Sequence, residues 1–367
     1  MTLADACRSR ENHLDLIRSL AAIAVIYSHS YPIAGSKWEP GYWLVWTDSL
    51  GAIAVYIFFA ISGFLIAKSW NEDPRSAPFF IRRAARILPG LACAVLLAAL
   101  VLGPMVTTLA ARDYFASPEL WKSIRRDLTL FNMNLTLPGV FRSNPLPATV
   151  NGSLWTLPIE VYLYGAVPLL WLFGRRLSRA ACAGLLFALI AAGLAWNWHG
   201  FATPGAGLRR ILHLSFPSTL HAALFFMAGS LLYLLRDRIV LRPAYGLAAF
   251  ALLAAAARTP HFYLIALATL PYLVFCLGFA RAPRLAGFRR GGDPSYGLYV
   301  YAFPVQQTLA HAAPGIAPLA LFALALPIVA ALAYLSWFLV ERPCLRFGRK
   351  LFAKPAATPQ VAPRRAA

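Results

Sequence analysis

Residues 14–31, LDLIRSLAAIAVIYSHSY, carry Arg18 near one end and His29 near the other. On a helix this spacing is about three turns, about 16 Å in height, with both side chains pointing in nearly the same direction. One face therefore presents a fixed cation and, higher up, a titratable imidazole. Glu160, in NGSLWTLPIEVYLY, supplies a carboxylate in a second apolar run. A carboxylate beside an imidazole fixes its tautomer and raises its basicity, which suits it to take a proton from an attacking hydroxyl. In FFIRRAARILP, Arg83 and Arg86 stand at i and i+3 with Arg82 one turn from Arg86. Paired guanidinium groups suit a phosphate-bearing ligand, and Arg18 at the same level adds another.

The elements that must position these residues follow from composition. Hydrophobic residues make up 59% of the 367-residue chain, charged residues only 13%, and mean hydropathy is +0.61. That is too apolar for a soluble protein of this length and predicts a polytopic membrane protein. Ten apolar runs are long enough to cross a hydrocarbon core: 15–33, 49–68, 87–107, 154–174, 180–198, 214–235, 243–258, 260–280, 295–313 and 318–339. The first is read as a retained span and not as a cleaved signal peptide, because the small-residue cleavage site is weak and many apolar runs follow. Proline and glycine at 313–318 break the last uncharged stretch into two helices. The expected fold is an all-α bundle of about ten transmembrane helices. Residues 1–345 form the membrane domain, with a long outer loop at 108–152 and a short interfacial helix near 117–130. Residues 346–367 read as a basic, disordered cytoplasmic tail.

Orientation follows from the Lys and Arg positions, because cytoplasmic segments retain them. With the N-terminus inside, inner segments hold Arg8, Arg10, the group from Lys68 to Arg86, Arg175, Arg176, Arg179, Arg236, Arg238, Arg242, Arg281, Arg284, Arg289, Arg290 and the basic tail. Outer segments hold far fewer: Lys37, Arg209, Arg210, Arg258 and those of the 108–152 loop. Both termini are therefore expected in the cytoplasm. The net charge of +20 is explained by topology and anionic lipid, which argues against nucleic acid as a partner. The five cysteines are scattered, with no metal-ligand spacing, so no metal site is expected.

In this orientation Glu160 lies about two turns below the outer surface and His29 about one, so the two are expected to meet. An ionisable group inside a span is costly enough to suggest function. Plainer readings exist for each: a hydrogen-bonded interfacial histidine, a structural carboxylate, and ordinary positive-inside arginines.

The chain resembles the acyltransferase 3 family of integral-membrane acyltransferases. The likeness lies in Arg18 with His29, FFAISGFLI at 58–66, the RxxR of Arg83 and Arg86, GSLWTLPIE at 152–160, SYGLYVYAFPV at 295–305 and VERP at 340–343. The resemblance implies transfer of an acyl group, usually acetyl from acetyl-CoA, to a hydroxyl of a saccharide or lipid-linked saccharide at a bacterial cytoplasmic (inner) membrane. It carries functional roles over to Arg18, His29, Arg83 and Arg86. On this reading Arg82, Arg83 and Arg86 hold the CoA phosphates, and His29, oriented by Glu160, activates the acceptor or is itself acylated. Ser153, Trp155, Tyr162, Tyr296 and Gln306 are candidate substrate-cavity residues. Two departures stand out. Tyr301-Ala302-Phe303 occupies the place where many members carry Trp-His, and no hydrolase-like domain follows the tenth run. The competing class is a transporter or flippase of a lipid-linked saccharide, which would consume no thioester.

Overall fold

The computed structural model describes residues 1–8, 12–131, 133, 135–174, 178–198, 216–281 and 291–351. Among them the protein is all-helical, with isolated bridges in place of strands. Each of the ten apolar runs coincides with a helix: α1 Leu14–Ile33, α2 Leu50–Glu72, α3 Ser76–Leu97, α4 Thr156–Gly174, α5 Arg179–Trp198, α6 Phe216–Leu234, α7 Pro243–Ala256, α8 Phe262–Gly278, α9 Ser295–Ala312 and α10 Pro318–Ser336. Among the described residues, four helical stretches are long and apolar enough to cross a membrane: Leu50–Glu72, Ser76–Val106, Arg179–Trp196 and Pro318–Gly348. Among the basic residues used for orientation, Arg10, Arg175, Arg176, Arg209, Arg210, Arg284, Arg289 and Arg290 lie outside the described residues, as does the expected start of the sixth run at 214.

Local chemistry sets several boundaries. Ser49 caps α2 by accepting the Ala52 N–H at 3.0 Å. The turn between α9 and α10 uses Gly315 at φ +81°, a left-handed conformation that glycine adopts without strain. α3 continues through a π-helical turn, Ala98–Leu102, which leaves a carbonyl without its helical partner. The Tyr114 hydroxyl donates to the Ala99 carbonyl at 2.7 Å, and Gly103 leaves room for that ring.

α2 lies against α6 at backbone distance. A Cβ at Gly63 would collide with the Phe226 carbonyl, and one at Gly229 with the Ala60 carbonyl; Ser230 Oγ donates to the Gly63 carbonyl at 3.0 Å. Small residues and a hydroxyl crossing between helices are the means by which helices associate in lipid, where apolar burial alone gives no drive. α9 is the most enclosed element, buried from Ser295 to Pro304. α1, α2, α3, α4 and α9 together enclose the space described below.

The 108–152 loop contains the expected amphipathic helix, at Pro118–Thr129, with Leu120 and Ile124 buried and Trp121 exposed. It is fastened to α9 by polar side chains. Asn144 donates to Gln307 Oε1 at 2.7 Å, Gln307 donates to the Leu146 and Thr149 carbonyls, and Asn151 donates to the Val300 carbonyl. The tail differs from expectation at its start. A helix over Arg342–Lys350 follows the π-helical turn Trp337–Glu341, so residues 346–350 are helical, and 352–367 lie outside the described residues.

Candidate active site

Two cavities, named inner and outer after the expected orientation, lie one above the other between α1, α2, α4 and α9, with α3 closing the inner one. The inner one, about 110 Å³, is lined by Arg18, Arg83 and Arg86, by Glu160, Tyr164 and Ser62, and by an apolar barrel that includes Phe58, Leu65, Ile87 and Leu157. The outer one, about 440 Å³, is lined by His29 together with Ser28, Glu39, Asp48, Trp155 and His221. Val55 and Tyr299 line both.

The register of each helix agrees with this stacking. α1 passes from Arg18 at the inner cavity to His29 at the outer, and α9 from Tyr296 through Tyr299 to Phe303, whose ring meets His29 edge-on at 5.2 Å. In the opposite sense, α2 runs from Gly51 at the outer cavity past Val55 to Ser62 at the inner. α4 and the turn before it descend from Trp155 to Glu160 and Tyr164. Antiparallel neighbours thus bring residues far apart in sequence to common levels.

The arginine cluster assembles at the inner level as expected, but its charges are partly answered from within. Asp293 accepts from Arg18 at 2.9 Å and from Arg86 at 2.5 Å, and Arg86 also lies 3.7 Å from Glu341. Burial alone would raise the Asp293 carboxyl. The Arg86 and Arg18 charges, with two bonds from Ser295, outweigh it and hold the group well below the usual carboxylate range. Arg83 differs: its described polar contact is a 3.4 Å bond to Ser69 Oγ, and its Nε is buried without a hydrogen-bond partner among the described residues. A half-buried guanidinium with a buried, unsatisfied donor fits an incoming anion.

Four expected cavity residues stand elsewhere: Arg82, Gln306, Tyr162 and Ser153, which is buried against His29 and lines neither cavity. Arg82 does not line the inner cavity; its guanidinium pairs with Asp73 at 2.9 Å, which also holds Arg75. The bonds from Arg75 and then Arg82 push the Asp73 carboxyl down. Gln306 is fully buried and binds α1, donating to the Ile26 carbonyl and to Ser30 Oγ at 2.7 Å each. It is a link between helices, placed one helical turn or less from His29, and lines neither cavity. Tyr296 does face the inner cavity and donates to the Ile87 carbonyl at 2.8 Å. Trp155 lines the outer cavity, while Tyr162 is exposed.

The expected meeting of His29 with Glu160 does not occur. His29 Nδ1 lies 3.4 Å from Ser153 Oγ, whereas the Glu160 carboxylate accepts from Ser62 at 3.1 Å and from Tyr164. Ser153 precedes Glu160 by two helical turns, about 10 Å of descent, which carries the carboxylate to the arginine level. The group touching the imidazole is therefore a hydroxyl.

Other residues at the site escaped the sequence reading. Asp293 stands two positions before Ser295, just outside the expected ninth span, so a depth argument confined to spans passed over it. Tyr164 follows Glu160 by four residues, the helical spacing at which side chains meet. In the outer cavity Glu39, 5% exposed, accepts from Ser28 at 2.6 Å and from the Leu50 N–H at 2.9 Å, and Asp48 accepts from Tyr56 at 2.7 Å. Nothing in local spacing links those loop carboxylates to span one.

An anion-fitting cavity beneath a histidine-bearing polar one is an arrangement suited to group transfer across a bundle. A family model described as an acyltransferase domain matches residues 11–338. The chain belongs to the acyltransferase 3 family and is an acyltransferase. Among curated proteins it is 28% identical over 342 residues to an O-acetyl transferase of Shigella phage Sf6, covering 91% of this chain and 96% of that one. It is 30% identical over 370 residues to nodulation protein 10 of Rhizobium leguminosarum bv. viciae, covering 94% and 95%. A third relative, the acyltransferase MdmB of Streptomyces mycarofaciens, is 26% identical over 381 residues, covering 93% of each. No solved structure matches the chain.

Proposed function

We propose that this protein is a membrane-bound O-acetyltransferase that takes the acyl group from cytosolic acetyl-CoA and places it on a hydroxyl of a cell-surface or secreted saccharide. On this reading all ten helices α1 to α10 span a bacterial cytoplasmic membrane, and both termini face the cytosol. The observation that carries it is the stacking of the two cavities about Val55 and Tyr299, with arginines below and His29 above.

Arg83, with its unpartnered Nε, takes an anionic group of the donor, and Arg18 and Arg86, fixed by Asp293, complete the positive wall. The apolar barrel above them suits the uncharged arm of the thioester. His29 faces the roomier cavity, whose Trp155 ring and Glu39 and Asp48 carboxylates suit a sugar's apolar face and its hydroxyls. There the acceptor hydroxyl oxygen bonds to the acyl carbonyl carbon while the C–S bond breaks. His29 removes the hydroxyl proton and passes it to the departing thiolate, which leaves as the CoA thiol. Ser153 holds the other ring nitrogen and sets the tautomer that makes this possible.

The test is thioester consumption. Membrane vesicles containing the full chain, given labelled acetyl-CoA on the cytosolic face, are expected to gain base-labile label in saccharide and to release free CoA. Vesicles with His29→Ala at equal abundance are expected to do neither. Saccharide movement without CoA release would identify a transporter and overturn the proposal.

A further inference from the structure

We infer that Val55 and Tyr299 form the filter that decides which acyl groups reach His29, admitting short unbranched ones; this rests on the acyl transfer proposed above. Three observations converge on the pair. Both residues line the inner and the outer cavity, so a group moving from the arginine level to the imidazole passes between them. Tyr299 is also fastened from several sides. Its hydroxyl donates to the Ser153 carbonyl at 2.6 Å and accepts from Thr156 at 2.8 Å, its ring meets Phe58 edge-on at 5.8 Å, and it is 7% exposed. A ring held at its tip and along its edge does not swing aside without giving up both hydrogen bonds, so the free width is left to the other side chain that lines both cavities, Val55.

The third observation is the contrast between the two spaces. Above its arginines the inner cavity is walled by apolar side chains such as Phe58 and Leu157, but it holds only about 110 Å³. The outer one is about 440 Å³ but faces Glu39, Asp48, His29 and His221. A longer acyl chain thus lacks room below the partition and meets carboxylates and imidazoles above it. Its extra carbons press on Val55 or lie among polar groups, and each costs transfer rate. One misplaced methylene in an apolar pocket changes kcat/KM by about 10- to 200-fold. The same tyrosine ties donor level to acceptor level, because the residue whose carbonyl it grips, Ser153, is the one whose hydroxyl touches His29.

The experiment uses membrane vesicles from the cells that make the protein, which carry the native acceptor, with cells lacking the protein as the blank. Radiolabelled acetyl-, propionyl- and isobutyryl-CoA are supplied separately at equal, sub-saturating concentration, and initial incorporation into base-labile saccharide ester is measured. The wild type is expected to prefer acetyl to propionyl by tenfold or more, and to exclude isobutyryl. Val55→Ala is expected to raise the propionyl-to-acetyl ratio about tenfold. Tyr299→Phe, which keeps the ring and drops its two hydrogen bonds, is expected to raise it in the same direction. Val55→Leu is expected to lower it, and decides the matter should the alanine variant fail to accumulate. Equal use of the three donors by the wild type, or ratios within twofold of wild type in variants that still transfer acetyl, would overturn the filter and leave the acyltransferase reading intact. No incorporation from any donor by the wild type would overturn the reading itself, and the filter with it.

Discussion

Arg86 and Asp293, 207 positions apart in the chain, meet at 2.5 Å at the inner end of the bundle, and Arg18 joins the same carboxylate oxygen at 2.9 Å. One buried acid thereby fixes two of the three cavity arginines and joins α1, α3 and the entry to α9. Asp293→Asn is expected to destabilise the protein by about 3–5 kcal/mol, since both guanidinium groups lose their counter-charge. Thermal unfolding in detergent measures this. The pH dependence has a definite sign. The carboxyl is depressed in the folded protein relative to about 3.9 when unfolded, so its stabilisation is complete above about pH 4 and is lost as pH falls toward the folded value. Between pH 5 and 8 the gap between wild type and variant is expected to stay constant. A gap that closes across that range would show that the pair is not what holds these helices.

Arg83 and Arg86 look equivalent in the sequence, and the structure separates them. Arg86 is committed to Asp293 and Glu341, while Arg83 keeps an unpartnered Nε beside the inner cavity. Arg83→Lys, which keeps charge but loses the planar fork, is expected to raise KM for acetyl-CoA about tenfold, roughly 1.4 kcal/mol, with little change in melting temperature. Arg86→Lys is expected to lower melting temperature as well as activity. Steady-state kinetics beside thermal unfolding tell the two apart, and equal profiles would show that Asp293 does not distinguish them.

The helices, the loop helix at Pro118–Thr129 and the turn around Gly315 were legible because each is written locally, in an apolar run, an amphipathic stretch or a glycine between prolines. The arginine level was legible for the same reason, since positive charge at span ends is a one-dimensional signal. What escaped the sequence depends on how helices face one another. Glu160 lies deeper than the two expected turns, because the turn Gly152–Trp155 already descends before α4 begins. Gln306 looks like a cavity residue in a linear reading, and becomes an interhelical tie only once α1 is in place; its neighbour Gln307 ties α9 to the 108–152 loop.

The separation of His29 from Glu160 has a kinetic consequence. If the carboxylate oriented the imidazole, Glu160→Gln would shift the pH profile of transfer. Bonded instead to Ser62 and Tyr164, it is expected to lower activity through the shape of the inner cavity while leaving the profile's midpoint unchanged. Ser153→Ala, by contrast, removes the contact at Nδ1 and is expected to move the midpoint and to reduce kcat by about tenfold, roughly 1.4 kcal/mol. His29→Ala is expected to cost about 10²- to 10⁴-fold. A midpoint that moves with Glu160→Gln and not with Ser153→Ala would reverse the assignment.

The wall that carries Val55, Phe58 and Ser62 is held from behind by Gly63 and Gly229, where α2 and α6 approach at backbone distance. A methyl group at Gly63 has nowhere to go, because the atom it would meet is the Phe226 carbonyl oxygen, which is not free to rotate away as a flexible side chain is. Gly63→Ala is therefore expected to force the two helices apart and to destabilise the bundle by about 1–3 kcal/mol, as overpacking does in other cores. Because α2 faces the cavities on its other side, the same shift narrows the passage at Val55. Transfer is expected to fall further than the loss of folded protein accounts for. Gly184 on α5, where an added Cβ meets open space, is the matching control: Gly184→Ala is expected to leave melting temperature and acetyl transfer near wild type. Equal effects of the two substitutions would show that close approach of α2 and α6 does not set the geometry of the cavity wall.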